Sequence, residues 1–361
     1  MARIFNFSAG PSILPVPVLE KIRDEIVDFQ GKGMSLIEMS HRGKVVDEMH
    51  NQCLALIKEL LGVPDTHKVL ILGGGATLQF GMIPMNFLWG GKSADYTNTG
   101  AWAKKAIEDA KKVGKVNVVW DGKADNYLNL PDPKSLKASP DAAYFHMTSN
   151  ETIGGVQWQD WPDVGNVPLF CDMSSDFMSR RVPVEKFALI YAGAQKNAGP
   201  AGACIVIMRE DLLKKCPESI INYLDFRLHV KENSMYNTPP VFTIWAIKLT
   251  MEWLKGIGGL PAAEKLAAER SGIIYDAIAR SNGFYTCPVP KACQSKMNIV
   301  FRMKTEELEA KFLEEAKKQK LDGLKGHRSV GGCRASVYNA MPVDGARALA
   351  KLMDDFAKAN R

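Results

Sequence analysis

Hydrophobic positions follow two alternating patterns along the chain. Val16 to Gln30 and Val46 to Leu61 repeat apolar residues at the spacing of one helix face, which predicts two amphipathic helices. Lys68 to Leu72 is a short apolar run that predicts a strand, and Ala76 to Leu88 predicts the next helix. Because such alternation is typical of α/β proteins, we expect a mainly parallel sheet.

Further short apolar runs predict more strands at Val116 to Trp120, Ala142 to Met147, Pro168 to Asp172, Leu189 to Ala192 and Ala203 to Met208. Glycine and proline are dense at Gly256 to Pro261, which predicts a break between two structural units. The elements predicted after the break are a helix at Ala262 to Ser281, a strand at Met297 to Met303, a helix at Thr305 to Gln319, a strand at Cys333 to Tyr338 and a helix at Val343 to Ala359. This order predicts a second, smaller α+β domain.

Composition narrows the class of protein. The chain has 361 residues and a net charge of +6, but basic and acidic residues are interspersed, so we expect neither nucleic-acid nor membrane binding. No apolar run reaches the roughly 20 residues of a membrane span, and the N-terminus lacks signal-peptide features, which predicts a cytoplasmic protein. The seven cysteines show no CxxC spacing, so we expect reduced thiols, no disulfides and no metal site.

Lys196 follows the predicted strand Leu189 to Ala192, inside the turn Gly193-Ala194-Gln195-Lys196-Asn197-Ala198-Gly199. An isolated lysine is usually a solvated surface residue. Small neighbours, however, let a planar group approach the backbone, and an apolar strand limits the water around the amine. Such surroundings favour a Schiff-base lysine, which must lose its proton before it attacks an aldehyde.

Pyridoxal phosphate is an aldehyde cofactor that forms such a Schiff base, and two further features of the sequence fit a site for it. Asp172 ends another apolar strand, where a carboxylate can keep the pyridinium nitrogen protonated, although a helix N-cap or strand-end turn explains it equally well. Gly73 to Gly75 connects a strand to a helix, and backbone N–H groups at a helix N-terminus favour a phosphate. The segment is neither GxGxxG nor a P-loop, so a dinucleotide or nucleoside triphosphate has no matching motif.

Ordered motifs along nearly the whole chain resemble the phosphoserine aminotransferases, which are class V, fold-type I pyridoxal-phosphate enzymes. The motifs are Asn6-Phe7-Ser8-Ala9-Gly10-Pro11, Ser40-His41-Arg42, Gly73-Gly74-Gly75-Ala76-Thr77-Leu78-Gln79-Phe80, Thr97-Asn98-Thr99-Gly100-Ala101-Trp102, Thr148-Ser149-Asn150-Glu151-Thr152-Ile153-Gly154-Gly155, Asp172-Met173-Ser174-Ser175, Tyr191-Ala192-Gly193-Ala194-Gln195-Lys196-Asn197, Tyr236-Asn237-Thr238-Pro239-Pro240 and His327-Arg328-Ser329-Val330-Gly331-Gly332-Cys333-Arg334-Ala335-Ser336. The resemblance implies a large pyridoxal-phosphate-binding domain over 16–257 with a mainly parallel seven-stranded sheet, and a smaller domain formed by 1–15 and 258–361.

The resemblance also implies roles at the cofactor, pyridoxal 5′-phosphate. Lys196 would be the catalytic lysine, Asp172 the partner of the ring nitrogen and Trp102 the ring that stacks on the pyridine. Thr152 would bond the phenolic oxygen. The cofactor phosphate would be held by Ala76, Thr77 and Gln195, and by Asn237 and Thr238 of the other subunit of a homodimer.

For the substrate, the resemblance implies that Arg334 binds the α-carboxylate. Two His-Arg pairs would form the site for the distal phosphate or carboxylate, namely His41 with Arg42 and His327 with Arg328. Arginine suits both sites, because its guanidinium binds carboxylate and phosphate in a bidentate manner. The expected substrates are L-glutamate, 3-phosphohydroxypyruvate and O-phosphoserine, with phosphohydroxythreonine as a further possibility.

Two other interpretations remain at this point. A different class V enzyme, such as a serine–pyruvate aminotransferase or a cysteine desulfurase, is disfavoured by the doubled His-Arg pairs, and a desulfurase also needs an exposed nucleophilic cysteine. The more distant hypothesis is a non-enzymatic binding protein that has a degenerate aminotransferase fold. The presence of both Lys196 and Asp172 argues against it.

Overall fold

The computed structural model describes residues 3–360. Its helices are α1 Val16–Glu25, α2 Lys44–Leu61, α3 Gly75–Phe87, α4 Ala101–Val113, α5 Phe226–Lys231, α6 Val241–Gly256, α7 Gly259–Arg280, α8 Glu306–Lys318 and α9 Val343–Ala359. Its strands are β1 Phe5–Asn6, β2 His67–Leu72, β3 Ser93–Asn98, β4 Lys115–Asp121, β5 Ala142–Thr148, β6 Asn150–Glu151, β7 Val156–Gln157, β8 Leu169–Asp172, β9 Leu189–Gly193, β10 Cys204–Arg209, β11 Asn298–Phe301, β12 Leu321–Asp322 and β13 Cys333–Ser336.

A seven-stranded sheet forms the centre of the molecule, in the order β2-β10-β9-β8-β5-β3-β4. The pairs from β9 through β4 are parallel, and β10 is antiparallel to both of its neighbours. The sheet is therefore mainly parallel, as the sequence predicts. The predicted α/β class with a mainly parallel seven-stranded sheet is confirmed.

The central strands of this sheet are buried on both faces. Successive side chains of a strand point to opposite faces, and both sets pack into a hydrophobic core. In β9, Ile190 packs into a core with α2 and α6, whereas Leu189 and Tyr191 pack into a core with α3 and α4. Strands covered on both faces need nearly continuous apolar residues, which explains why most of them are recognisable in the sequence. The carboxyl ends of β8 and β9 meet at one edge, where Asp172 is paired with Tyr191.

A separate hydrophobic cluster contains Phe7 and Ile13 together with side chains from β11, β13 and α7 to α9. The strand pairs of this region are β1 with β12, in parallel, and β11 with β13, antiparallel. The predicted break near Gly256 is present as a short gap between α6 and α7, with Gly258 at a φ of 107°. We propose on this basis that 1–15 and 258–361 form the smaller domain.

Residues 5–13 connect the two regions. Phe5 pairs with Leu321 across the β1–β12 ladder, while the amide of Ser12 donates to the carbonyl of Gln195 at 3.0 Å. Tyr338 Oη donates to the carbonyl of Ala9 at 2.7 Å. The N-terminal segment is thus held between the loop that carries Lys196 and the C-terminal third of the chain.

Some predicted boundaries were wrong. The first helix ends at Glu25 instead of Gln30, because the chain leaves the α conformation and buries Phe29 through a short 3-10 turn in which Gln30 has a φ of 56°. The sequence patterns also failed to predict β3, α4 and α6. None of the helices within residues 3–360 is long and apolar enough to cross a membrane.

Candidate active site

A cavity of about 250 Å³ opens at the carboxyl ends of the central strands. Ligands of open α/β sheets usually bind at this edge. The cavity brings together the predicted residues Ala76, Thr77, Trp102, Thr152, Asp172, Gln195, Lys196, His327 and Arg334. This volume is just below the roughly 300 to 1,000 Å³ of sites for drug-sized ligands, so the cavity has room for only a small molecule.

Lys196 lies in the loop after β9 and is buried, with its amine inside the cavity. Its Nζ donates a hydrogen bond to Thr152 Oγ1 at 2.8 Å. Burial lowers the pKa of Lys196 from 10.5 to about 8, against the opposing effect of the carboxylates of Asp172 and Glu151. The amine therefore loses its proton far more readily than an exposed lysine does, and an uncharged amine is the nucleophilic form.

Asp172 ends β8, the strand next to β9, and its carboxyl group is buried. Ser174 donates to Asp172 Oδ1 twice, from its backbone N–H at 2.8 Å and from Oγ at 2.6 Å. Ser174 Oγ in turn accepts from the N–H of Gly193 at 3.0 Å, which joins the ends of β8 and β9. Burial raises the pKa of Asp172, while the charge of Lys196 and the bonds from Ser174 oppose this rise. Because both bonds reach Oδ1, Oδ2 is the oxygen that can receive a proton donor of a ligand.

The N-terminal turns of α3 and α4 form another wall of the cavity. Gly74 caps α3 with a left-handed backbone, φ 82°, which a residue without Cβ adopts without strain. Ala76 and Thr77 follow in the first turn, where unpaired backbone N–H groups favour an anion. Trp102 lies in the first turn of α4, and its ring centroid is 5.4 Å from Lys196 Nζ. An aromatic face at this position suits a flat heterocycle.

Two basic side chains, Arg334 and His327, line the cavity. Arg334 on β13 donates from Nη1 to the carbonyl of Thr152 at 3.3 Å, and its buried Nε has no partner among residues 3–360. Burial lowers the pKa of Arg334. The pKa of His327 is lowered by burial and by the positive charges of Arg334 and Arg328. Arg334 therefore places a positive charge in a partly dry space, which favours binding of a small anion, whereas the lowered pKa leaves His327 mostly uncharged at neutral pH.

The cavity of the single chain does not include His41, Arg42, Asn237, Thr238 or Arg328. Arg42, Thr238 and Arg328 are exposed, while His41 is half-buried and its Nε2 has no partner in the described part of the chain. Asn237 Nδ2 donates only to the neighbouring carbonyl of Thr238, at 3.1 Å. Their roles stay predictions.

The sequence interpretation missed two residues that support the site, Glu151 and Ser174. Glu151 is fully buried and accepts backbone N–H groups from the first turn of α4. Both residues belong to the motifs given above. Glu151 is adjacent to Thr152, and Ser174 is two residues after Asp172. A polar residue beside a strand end was the signal that could have identified them. Six of the seven cysteines are buried, Cys287 is half-buried, and none of them lines the cavity.

Comparison with known proteins agrees with this geometry. Residues 4–349 match the model of the family described as aminotransferase class-V. The chain is 48% identical over 359 residues to a phosphoserine aminotransferase of Lysinibacillus sphaericus, covering 99% of both chains. It also matches the solved structure of the phosphoserine aminotransferase from Bacillus circulans subsp. alkalophilus, with a TM-score of 0.98, 46% identity and 99% of each chain covered. A structure of the PLP-bound enzyme from Trichomonas vaginalis matches with a TM-score of 0.89 and 39% identity, over 98% of this chain and 100% of that one.

Proposed function

The chain belongs to the class-V aminotransferase family, and on this premise we propose that it catalyses reversible pyridoxal-phosphate-dependent transamination between L-glutamate and 3-phosphohydroxypyruvate. The products are O-phosphoserine and 2-oxoglutarate, which places the reaction in serine biosynthesis. The observation that carries the proposal is a single cavity containing a buried lysine, a buried carboxylate and an aromatic ring, Lys196, Asp172 and Trp102. The full-length similarity to phosphoserine aminotransferases supports this choice of substrate.

The residues of the cavity fit the cofactor group by group. Lys196 has the lowered pKa that an amine needs to react with an aldehyde. Asp172 Oδ2 would hold the protonated ring nitrogen, Trp102 would cover the ring, and Thr152 would bond the phenolic oxygen. Ala76, Thr77 and Gln195 would hold the phosphate at the N-terminus of α3. When bound, the cofactor supplies the electron sink for the charge that develops on the substrate α-carbon.

The protein's own groups then perform the proton transfer. Lys196 Nζ, uncharged near neutral pH more often than an ordinary lysine, accepts the α-proton of the amino acid and later returns it. Thr152 Oγ1, 2.8 Å away, fixes the direction of this amine. Arg334, anchored to the carbonyl of Thr152, would bind the α-carboxylate and so orient the α-carbon towards Lys196.

We propose that the distal phosphate is bound by His327 and Arg328 together with His41 and Arg42. His327 already lies in the cavity beside Arg334. A phosphomonoester carries roughly −1.5 to −2 charges at neutral pH, so several cations bind it better than they bind a single carboxylate. This difference is the physical basis for a preference for phosphoserine over amino acids without a distal dianion.

We also propose a homodimer in which Asn237 and Thr238 of one subunit complete the cofactor-phosphate site of the other. Both residues lie outside the cavity of their own chain. Tyr236 and Phe242 flank them in sequence and are exposed, with 38% of each side chain accessible. Contact with a second subunit would remove this apolar surface from water. A cytoplasmic location remains a prediction.

Activity with two substrate pairs tests the function. The purified protein should produce glutamate from O-phosphoserine and 2-oxoglutarate, and the initial rates should follow ping-pong kinetics because the amino group is stored between the two half-reactions. Alanine with glyoxylate is the control pair. Faster turnover of alanine than of phosphoserine would contradict the proposed substrate while leaving the aminotransferase chemistry intact.

A further inference from the structure

Glu151 is a buried carboxylate for which the reaction described above has no use. Only 1% of its surface is accessible. Its Oε1 accepts a long hydrogen bond from Thr99 Oγ1 at 3.5 Å, and within residues 3–360 it has no ion pair with a lysine, arginine or histidine. Instead Oε2 accepts the backbone N–H of Trp102 at 3.1 Å and Oε1 that of Ala103 at 2.9 Å. Burial raises the pKa of Glu151 to about 7, while the bonds from Ala103 and Trp102 oppose this rise, so the position of this carboxyl group needs a physical explanation.

The start of α4 provides that explanation. The N-cap of α4 is Gly100, which has no side chain with which to bond the first N–H groups of the helix. Glu151, from β6, supplies these acceptors from a distant part of the chain, and a negative charge is favourable at a helix N-terminus. A Cβ on residue 100 would lie 2.5 Å from Glu151 Cδ. A side chain at position 100 would therefore have to displace the carboxyl group of Glu151.

We propose that Glu151 is a positioning residue that sets the location of the Trp102 ring in the cofactor cavity by holding the backbone of the first turn of α4. Trp102 Nε1 is buried without a hydrogen-bond partner in the described chain, so its indole is located by packing and by the backbone that carries it. The adjacent residue, Thr152, accepts from Lys196 Nζ. Glu151 and Thr152 are adjacent, so one short segment contacts both the helix turn that carries the Trp102 ring and the amine of Lys196.

A competing explanation is that Glu151 acts directly on the charge of Lys196. The two groups interact electrostatically, since the carboxylate of Glu151 favours the protonated amine. Removing that charge could then alter cofactor binding without any contribution from Trp102. The two explanations differ in one respect: only the positioning role requires the indole to be present.

A double-mutant cycle separates them, with the affinity for pyridoxal phosphate and the visible circular dichroism of the bound cofactor as readouts. The proteins are the wild type, Glu151→Gln, Trp102→Leu and the double variant. We expect Glu151→Gln to weaken cofactor binding on the order of ten-fold and to change the dichroism, because the two N–H groups reach two different carboxyl oxygens and an amide offers only one. In the Trp102→Leu background the same substitution should have little further effect. An equal loss in both backgrounds, or no loss in either, would overturn the proposal.

Two further variants serve as controls. Glu309→Gln alters another buried glutamate that accepts a backbone N–H, from Met303 at 3.1 Å, but that is ion-paired with Arg302 and does not line the cavity. It should lower the melting temperature and leave cofactor affinity unchanged. If Glu151→Gln does not fold, Gly100→Ala displaces the same carboxylate from the other side and should weaken cofactor binding in a Trp102-dependent way. Normal affinity in Gly100→Ala would also overturn the proposal.

This inference relies on the proposed function only for the identity of the ligand that faces Trp102. The cofactor readouts require no turnover. If the wild-type protein binds pyridoxal phosphate but does not use phosphoserine, the proposed substrate fails and the cycle still decides the role of Glu151.

Discussion

Lys196 Nζ and Thr152 Oγ1 are joined by a hydrogen bond of 2.8 Å, although the residues belong to different structural segments. Lys196 follows β9 in the central sheet, whereas Thr152 follows β6 in a short hairpin. The bond fixes the direction of a buried amine before any ligand arrives. Preorganisation of this kind lowers the cost of bringing the reacting atoms together.

The first prediction concerns the site of attachment of the cofactor. Borohydride reduction of the yellow holoenzyme should fix pyridoxal phosphate covalently on Lys196, because this is the buried lysine whose amine lies in the cavity. Peptide mass spectrometry locates the modified residue. A stable modification on another lysine would disprove the assignment.

The second prediction follows from the lowered pKa of Lys196. The folded protein releases this proton near pH 8, whereas the unfolded chain retains it up to about 10.5. Between these values the unfolded state binds more protons, so the free energy of unfolding should increase with pH, by about 3 kcal/mol in total. Below about pH 8 the full cost of the buried charge is present. Urea unfolding of cofactor-free protein measures this increase, and Lys196→Met should abolish it. An identical pH profile in the two proteins would contradict the prediction.

The third prediction concerns Asp172. Asp172→Asn should leave the fold intact and reduce transamination by roughly a hundred- to a thousand-fold, the effect of losing one preorganised electrostatic partner. The amide cannot hold a proton on the ring nitrogen, although Ser174 can still donate to its oxygen. Steady-state rates together with circular dichroism separate the two effects. Near-normal turnover with bound cofactor would refute this role.

The fourth prediction separates the two anion sites. Arg42→Ala or Arg328→Ala should weaken the use of phosphoserine roughly ten- to a hundred-fold, since a charge-assisted hydrogen bond contributes about 1.5–3 kcal/mol. Alanine turnover should change little. Arg334→Ala should impair every amino acid, because each one presents an α-carboxylate. The measurement is kcat/KM for phosphoserine, glutamate and alanine. If Arg42→Ala and Arg334→Ala had the same profile, the proposed division between the sites would be wrong.

The fifth prediction tests the contribution of the partner subunit. A chain with Lys196→Ala and a chain with Asn237→Ala and Thr238→Ala should each be impaired alone. When the two are co-expressed, the mixed dimer has one site with the native lysine and the native residues from its partner, so activity should return. If Asn237 and Thr238 served their own chain, both sites of the mixed dimer would remain defective. Absence of recovery in purified mixed dimers would therefore exclude the proposed exchange.

The parallel sheet explains which parts of the fold the sequence predicts. Strands such as β9 are buried on both faces and consist of apolar residues, so their runs are visible. Strand β3 reads Ser93-Ala94-Asp95-Tyr96-Thr97-Asn98 and escapes this criterion. Its Asp95 is fully buried and is stabilised by Asn117 and Ser139, partners that are distant in sequence.

A similar limit applies to helices and to the site. Helix α6 is apolar on most of its surface, so it lacks the one-sided pattern by which α2 is recognised.

Lys196 and Asp172 follow adjacent parallel strands and could be placed together from the sequence. Glu151 could be noticed as a polar residue beside a strand end, but its contact with α4 could not be predicted, because the sequence patterns did not predict that helix. Residues that act across a subunit boundary cannot be located from a single chain.

The parallel pairing of Phe5 with Leu321 has a consequence for biosynthesis. The first strand leaves the ribosome long before its partner, because most of the chain separates them. The loop around Lys196 is held by Ser12, and the mouth of the cavity needs His327 and Arg334. Contacts of such high sequence separation form late in folding. The nascent chain should therefore acquire the ability to capture its cofactor only after residues 321–334 have been synthesised and have closed over the N-terminal segment.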